Sequence, residues 1–117
     1  MAEYIFQENG PLGLAMKDLD WHVVPGEKIT IPALVVNRGS DEIFVDLSVH
    51  GVPLHWVSID NPVVRLSPQE KREITLTISP PPFPQSRAGY YPVNIRATIQ
   101  NQPTTTVNVQ DTLTVAA

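Results

Sequence analysis

The sequence of 117 residues contains no cysteine. This absence excludes disulfide bonds, thiol catalysis and metal sites with cysteine ligands. A chain of this length buries roughly two thirds of the surface that its unfolded form exposes, so one hydrophobic core suffices without disulfides or metal. We expect a single folded domain over residues 12–117, preceded by an N-terminal extension of residues 1–11.

Basic residues are few and scattered, with eight Lys and Arg against twelve Asp and Glu and a net charge of −4. Nucleic-acid binding needs patches of Lys and Arg, and the nearest approach, Lys71-Arg72, is flanked by Glu70 and Glu73. The chain also lacks a run of about 20 apolar residues, and its first residues lack the basic and apolar regions of a signal peptide. We therefore expect neither nucleic-acid binding nor membrane insertion.

Motifs for catalysis are missing as well. There is no Gly-x-Ser-x-Gly nucleophile elbow, and the stretch Gly10–Gly13 lacks the Lys and the following helix of a phosphate-binding loop. The sequence therefore predicts no catalytic residue, no cofactor and no enzymatic activity of the chain itself.

Two groups of residues raise the alternative of a metal site. His50 and His55 flank a Gly-Val-Pro turn, and Asp46 has the same strand parity as His50. Asp18 and Asp20 suggest calcium. A zinc site needs three or four convergent ligands, and calcium needs six to eight oxygen atoms. Surface residues are the simpler interpretation of both groups, and we predict no metal site.

What the chain does contain is proline and alternation. Twelve prolines, about one in every ten residues, oppose a helical fold. Between turn residues, apolar and polar residues alternate in eight segments, which predicts strands with one solvated face in antiparallel sheets. The segments are 12–24, 28–37, 43–50, 54–59, 63–66, 71–79, 90–100 and 104–115. Their spacing predicts an all-β, immunoglobulin-like antiparallel β-sandwich of seven to eight strands.

The parity of these segments predicts the core and two irregularities. Core positions are Leu47, Trp56, Leu76, Tyr91 and Ile95. Tyr90-Tyr91, after Ala88-Gly89, also suits a tyrosine-corner hydrogen bond to the proline-rich crossover before it. The parity of the first segment changes near Lys17-Asp18, which indicates either a bulge or a strand that switches sheets. Asp111 falls on the inward parity, as either a second bulge or a hydrogen-bonded carboxylate at the rim.

Phe44 is the one apolar ring that parity places on an outer face, where Asp46 and His50 accompany it. These three residues are the candidate ligand-binding site. A platform for sugar stacking or docking would need a second ring, from Tyr4, Phe6, Trp21 or Phe83. The simpler interpretation is a single exposed ring without function, or one that packs on a neighbouring domain.

Six stretches occur in an order that resembles a known family: 24–31, 36–39, 56–59, 66–70, 78–81 and 88–93. Together, over about residues 21–99, they resemble the immunoglobulin-like accessory domains associated with bacterial and archaeal alpha-galactosidases (the NEW family) and related cell-adhesion domains of large surface proteins. The resemblance implies a non-catalytic module in a longer, envelope-associated protein. The family pattern has Gly where this chain has Gln69, so we expect this turn to be built differently.

The expectation is therefore a non-catalytic interaction or spacer module of a larger prokaryotic protein, in the cell envelope or outside the cell, and monomeric when isolated. Its partners would be neighbouring domains of the same polypeptide, a surface protein or a glycan. Two alternatives stay open. One is a carbohydrate-binding module that uses Phe44 and neighbouring rings, and the other is a piece of an enzyme whose active site lies in another domain.

Overall fold

The computed structural model describes residues 4–17, 21–82 and 87–116, which form ten strands and one 3₁₀ turn. The strands are β1 Tyr4–Asn9, β2 Leu12–Lys17, β3 Trp21–Val23, β4 Ile29–Asn37, β5 Ile43–His50, β6 Val57–Ile59, β7 Val63–Leu66, β8 Lys71–Ile78, β9 Gly89–Ile99 and β10 Gln102–Val115. The 3₁₀ turn, Leu54–Trp56, precedes β6. Among the described residues no helix is long and apolar enough to cross a membrane.

The strands form two five-stranded sheets. Sheet A has the order β1-β2-β4-β8-β6, and sheet B has the order β3-β10-β9-β5-β7. Neighbouring strands are antiparallel except for β3 and β10, which run parallel. The predicted all-β sandwich is confirmed, with this one parallel pair as a correction to the antiparallel expectation.

One core fills the space between the sheets, and strand alternation builds it. In β5 the side chains of Ile43, Val45, Leu47 and Val49 are buried, while Phe44 and the other outward residues face solvent. The inward residues of β8 and β9 are equally enclosed, including Ile74, Leu76, Ile78, Val93, Ile95 and Ile99. Burial of each such side chain contributes about 1.5–3 kcal/mol, so the parity of the strands fixes which face each sheet turns inward.

The first predicted segment is divided between the two sheets. Leu14 and Met16 in β2 enter the core from sheet A, whereas Trp21 and Val23 in β3 enter it from sheet B. The change of parity therefore reflects a strand that switches sheets. The connecting residues 18–20 lie outside the described residues. In sheet B, β3 pairs with the last residues of β10, Leu113–Val115, and runs parallel to that strand.

Two further details differ from the sequence-based expectation, and a third excludes the bulge that was one of two alternatives for Asp111. Ten strands replace seven to eight, because the first segment is divided and β1 lies within the range predicted as an extension, where it pairs with β2 along its whole length. Segment 54–59 begins with a 3₁₀ turn, in which the Trp56 N–H donates to Pro53 O at 3.0 Å as the chain passes from sheet B to sheet A. The β9–β10 register shifts between Gln102 and Thr106 and runs unbroken past Asp111, whose Oδ1 accepts from the Thr112 N–H at 2.8 Å.

At one end of the sandwich a buried amide ties two turns together. The side chain of Asn37 is fully buried. Its Nδ2 donates toward the carbonyl oxygens of Asp41 (2.8 Å), Ser67 (3.1 Å) and Leu66 (3.3 Å), and its Oδ1 accepts from the Gly39 N–H at 2.9 Å. Buried polar groups are retained where such bonds satisfy them, so Asn37 links the turn after β4 to the turn after β7.

The neighbouring turn, residues 67–70, contains Gln69, where the resemblance predicts Gly. Gln69 has a φ of +64°, a conformation that favours glycine, and its Nε2 donates to the carbonyl oxygens of Arg38 and Gly39 at 2.8 and 3.0 Å. The Ser67 N–H donates to Glu70 Oε1, and Arg72 donates to Glu70 Oε2, both at 2.8 Å. These bonds, the Ser67 N–H first, lower the pKa of the Glu70 carboxyl.

Candidate interaction surfaces

The outer face of β5 carries the three residues predicted to bind a ligand. The ring of Phe44 is 42% exposed and lies opposite Arg65 of β7. Arg65 Nε donates to Glu42 Oε2 at 2.8 Å. Two residues further along β5, Asp46 Oδ1 accepts from Gln100 Nε2 at 2.9 Å. The exposed ring is therefore flanked by two hydrogen-bonded polar pairs.

His50 lies at the far end of the same face. Its Nε2 is 3.0 Å from Ser48 Oγ. Six residues of extended strand, about 20 Å, separate His50 from Phe44. The structure places the predicted residues on one face, but it does not bring Phe44 and His50 together in one compact site.

The rings predicted to join Phe44 are placed differently. Trp21 is 1% exposed and belongs to the core, so its prediction as a platform residue is wrong. Phe6 is partly exposed on β1 of sheet A, the other sheet, where its ring contacts the Arg38 guanidinium at 5.2 Å from the centroid. The side chain of Tyr4 and residue Phe83 lie outside the described residues.

The histidines and acids considered for metal binding do not converge in the described part of the chain. There, no group of three or more His, Asp or Glu side chains is placed to hold a metal ion. His50 ends β5, and the exposed His55 lies in the 3₁₀ turn. Asp18 and Asp20 lie outside the described residues.

The predicted core residues are buried or half-buried. Leu47, Trp56 and Ile95 are buried. Tyr91 is half-buried and packs its ring edge-on against Trp56, with centroids 5.5 Å apart. The Tyr91 hydroxyl donates to the carbonyl oxygen of Arg87 at 2.6 Å. This bond ties the start of β9 to the preceding crossover, in the manner of a tyrosine corner.

Sequence reasoning missed an apolar groove between the ends of the two sheets, which we call the β5–β6 groove. Its volume is about 310 Å³, and its lining contains no Lys, Arg, Asp or Glu. Leu54, at 78% exposure, is the most exposed of the Val, Ile, Leu and Met residues that the structure describes. The lining residues are Leu47, Ser48, Val49, His50, Leu54, Val57, Ile59 and Pro62.

The groove exists because β7 is shorter than β5. β7 pairs with residues 43–46 only, and the last contact on that side is the Leu47 N–H donating to Pro62 O at 2.8 Å. The second half of β5 therefore pairs with β9 on one side and borders the groove on the other. The signal was present in the sequence, because the predicted segment 63–66 has half the length of segment 43–50.

Comparison with known proteins adds the fold. No protein-family model and no curated protein matches this chain, so the specific accessory-domain family is not confirmed. Many solved structures do match. A FixG-related protein from Vibrio parahaemolyticus has 13% sequence identity and a TM-score of 0.63, over 100% of this chain and 96% of that chain. The likeness shows an immunoglobulin-like β-sandwich.

Two other similar structures are larger. The cupredoxin domain of amoB from Nitrosocaldus yellowstonii has 12% identity and a TM-score of 0.57, over 77% of this chain and 56% of that one. The Salmonella enterica SafA pilin in complex with the SafB chaperone has 18% identity and a TM-score of 0.53, over 88% of this chain and 53% of that one. This chain thus spans about half the length of both. At such identities the likeness extends to the fold alone.

Proposed function

We propose that this domain is a non-catalytic interaction module that binds a partner protein at the β5–β6 groove. The observation that carries the proposal is the groove itself, whose mainly apolar lining includes the exposed Leu54 and contains no Lys, Arg, Asp or Glu. Covering a side chain of this kind gains about 1.5–3 kcal/mol. A spacer that only separates other domains needs no such feature.

The setting of the module is part of the same proposal. The resemblance of its sequence to accessory domains of surface proteins supports a place in a longer, envelope-associated protein. Among similar folds, the SafA–SafB complex is one in which a pilin and a chaperone bind each other. The partner at the groove is accordingly a neighbouring domain or another surface protein.

Site-specific photo-crosslinking in cells that express the full-length protein tests the proposal. A benzoylphenylalanine side chain replaces Leu54 at the groove in one variant. In the matched control it replaces Tyr90, which is 79% exposed and lies on the outer face of sheet B. We expect one discrete protein adduct with the Leu54 variant and none with the Tyr90 variant. Equal adducts from both, or none from either, would contradict the proposal.

A second candidate function is carbohydrate binding at Phe44. The partly exposed ring, between the pairs Glu42–Arg65 and Asp46–Gln100, offers an apolar face beside polar groups, and sugars bind such combinations by stacking and hydrogen bonding. A glycan array probed with the wild-type domain and with Phe44→Ala tests this function. Binding that disappears in the variant supports it, and silence across the array counts against it.

A further inference from the structure

We propose that the partner at the β5–β6 groove contributes an extended, uncharged segment that adds to β6 as a sixth strand of sheet A. This inference rests on the proposed function and names the chemistry of the partner: a peptide backbone with alternating apolar side chains. Its basis is the direction of the backbone groups of β6, the shape of the groove beside them, and the absence of Lys, Arg, Asp and Glu from the groove lining.

The backbone of β6 has an open edge, meaning the side that faces away from β8. Trp56 O accepts from the Ser79 N–H at 2.7 Å, and the Asp60 N–H donates to Thr75 O at 3.2 Å. In an antiparallel pair, hydrogen-bonded and non-hydrogen-bonded residues alternate. Since residues 56 and 60 bond toward β8, residues 57 and 59 direct their backbone groups to the open edge.

These groups form the pattern that an added strand requires. Ile59 directs both its N–H and its carbonyl oxygen to the open edge. Val57 directs its carbonyl oxygen there, while its N–H donates to Leu54 O within the preceding turn. The open edge thus presents one donor, the Ile59 N–H, between two acceptors, the carbonyl oxygens of Val57 and Ile59. Residues 57 and 59 are two apart, which matches the spacing of the backbone groups along one side of an extended peptide. Pairing of this kind is the basis of strand addition to sheet edges.

The groove lies where the side chains of such a strand would point. On an added strand every second side chain faces inward, and the surface beside the open edge is formed by Leu47, Val49 and Leu54. An acidic or basic side chain placed there would lose solvation without gaining an ion pair with Lys, Arg, Asp or Glu, because the lining contains none of these residues. The inward positions of the segment are therefore apolar and uncharged.

The other edge of sheet A differs. There Asn9 Nδ2 on β1 lies 3.3 and 3.4 Å from the carbonyl oxygens of Thr106 and Thr104 on β10, and Arg38 forms a salt bridge with Glu8 at 2.7 Å. Charge and cover of this kind discourage pairing with another chain. Val57–Ile59 contains no charged residue and no proline, so β6 lacks these two forms of protection.

The probe is a peptide with the sequence of Ile74–Ser79, capped at both ends. This sequence is uncharged, and as part of β8 it pairs with the opposite edge of β6 in the native fold. Two N-methylated forms carry methyl groups on alternate amides, one form on the Thr amides and the other on the Ile and Leu amides. Only one set of amides faces β6 in an added strand. Binding to the ¹⁵N-labelled domain is followed by NMR.

We expect one methylated form to bind at least tenfold more weakly than the parent peptide and the other form to bind within about twofold of it. Leu54→Lys should weaken binding of the parent at least tenfold. The control Val24→Lys, at a half-exposed apolar position outside the groove, should not change it. Equal effects of the two methylated forms, or no binding of the parent, would overturn strand addition.

The crosslinking experiment separates this failure from failure of the proposed function. A discrete adduct at Leu54 together with equal effects of the two methylated peptides means that a partner covers the groove through side-chain packing, so that only strand addition is wrong. Absence of any adduct at Leu54 overturns the proposed function and, with it, the strand partner.

Discussion

Asn37→Asp should destabilise the domain strongly, although the two side chains have nearly the same shape. The amide NH₂ of Asn37 serves three carbonyl oxygens at 2.8–3.3 Å in a fully buried position. A carboxylate cannot donate to them. Because an NH₂ group has two hydrogens, we count two lost hydrogen bonds, at about 0.5–1.5 kcal/mol each. The carbonyl groups left without a donor add about 1–3 kcal/mol. We expect a loss of about 4 kcal/mol in the free energy of unfolding at pH 7, a large part of a typical domain's 5–15 kcal/mol.

The loss should also depend on pH in a defined direction. Burial and the facing carbonyl oxygens raise the pKa of the introduced carboxyl, because only its protonated form can donate a hydrogen bond. A folded-state pKa above the unfolded value means that stability is retained at low pH and lost as the pH rises through the folded-state pKa. The deficit relative to wild type should therefore be larger at pH 8 than at pH 5.

Urea unfolding followed by the fluorescence of the two buried tryptophans measures both effects. The matched control is Asn108→Asp, because the exposed Asn108 Oδ1 only accepts, from Arg96 Nε at 2.9 Å, and a carboxylate accepts equally well. This control should change stability by less than about 0.5 kcal/mol. An Asn37→Asp variant within about 1 kcal/mol of wild type at pH 8, or one whose deficit does not grow between pH 5 and pH 8, would refute the reasoning.

Three further predictions concern stability. Gly51→Ala should cost about 3 kcal/mol in urea unfolding, because a Cβ would overlap the carbonyl oxygen of Pro92 and the φ of +103° strains any side chain; a variant as stable as wild type would show that this approach relaxes freely. Gln69→Gly should be about 1 kcal/mol more stable than Gln69→Ala, since both lose the side-chain hydrogen bonds and only glycine accepts the positive φ without strain; equal midpoints would contradict this. Ile95→Asp should leave the domain unfolded by circular dichroism at neutral pH, because it buries a carboxylate without a partner; a native-like melting curve would show that the inward parity of β9 is wrong.

Much of the sandwich could be predicted because alternation reports directly on burial. In β5, β8 and β9 each strand lies between a core and solvent, so apolar and polar residues alternate and both location and parity follow from the sequence. The change of sheets between Leu14 and Trp21 was also visible, since the apolar parity reverses there. Where the strand went remained open, because parity does not say which sheet receives it.

Prediction failed where long-range contacts decide the outcome. The parallel pairing of β3 depends on the direction in which β10, far along the chain, runs through sheet B. Trp21, predicted to join Phe44 on the surface, is buried because β3 directs it into the core. The residues of the 3₁₀ turn before β6 are as apolar as those of a strand, so their composition does not distinguish the two. The turn forms where the chain passes from sheet B to sheet A.

The candidate site was harder to predict than the fold. Phe44, Asp46 and His50 were found because outward parity identifies exposed side chains, yet parity does not give the spacing that separates Phe44 from His50. The β5–β6 groove exists because β7 does not extend along the second half of β5. Strand pairing, and therefore an unpaired stretch, cannot be deduced from one strand's own sequence.

Amide hydrogen exchange at Ile59, measured by NMR with and without saturating parent peptide, tests the central claim most directly. The Ile59 N–H faces the open edge, so an added strand should slow its exchange at least tenfold. The neighbouring Ser58 N–H, which the alternation of the ladder directs toward Thr77, should change little. Unchanged exchange at Ile59 in the saturated complex would contradict a binding site at the edge of β6.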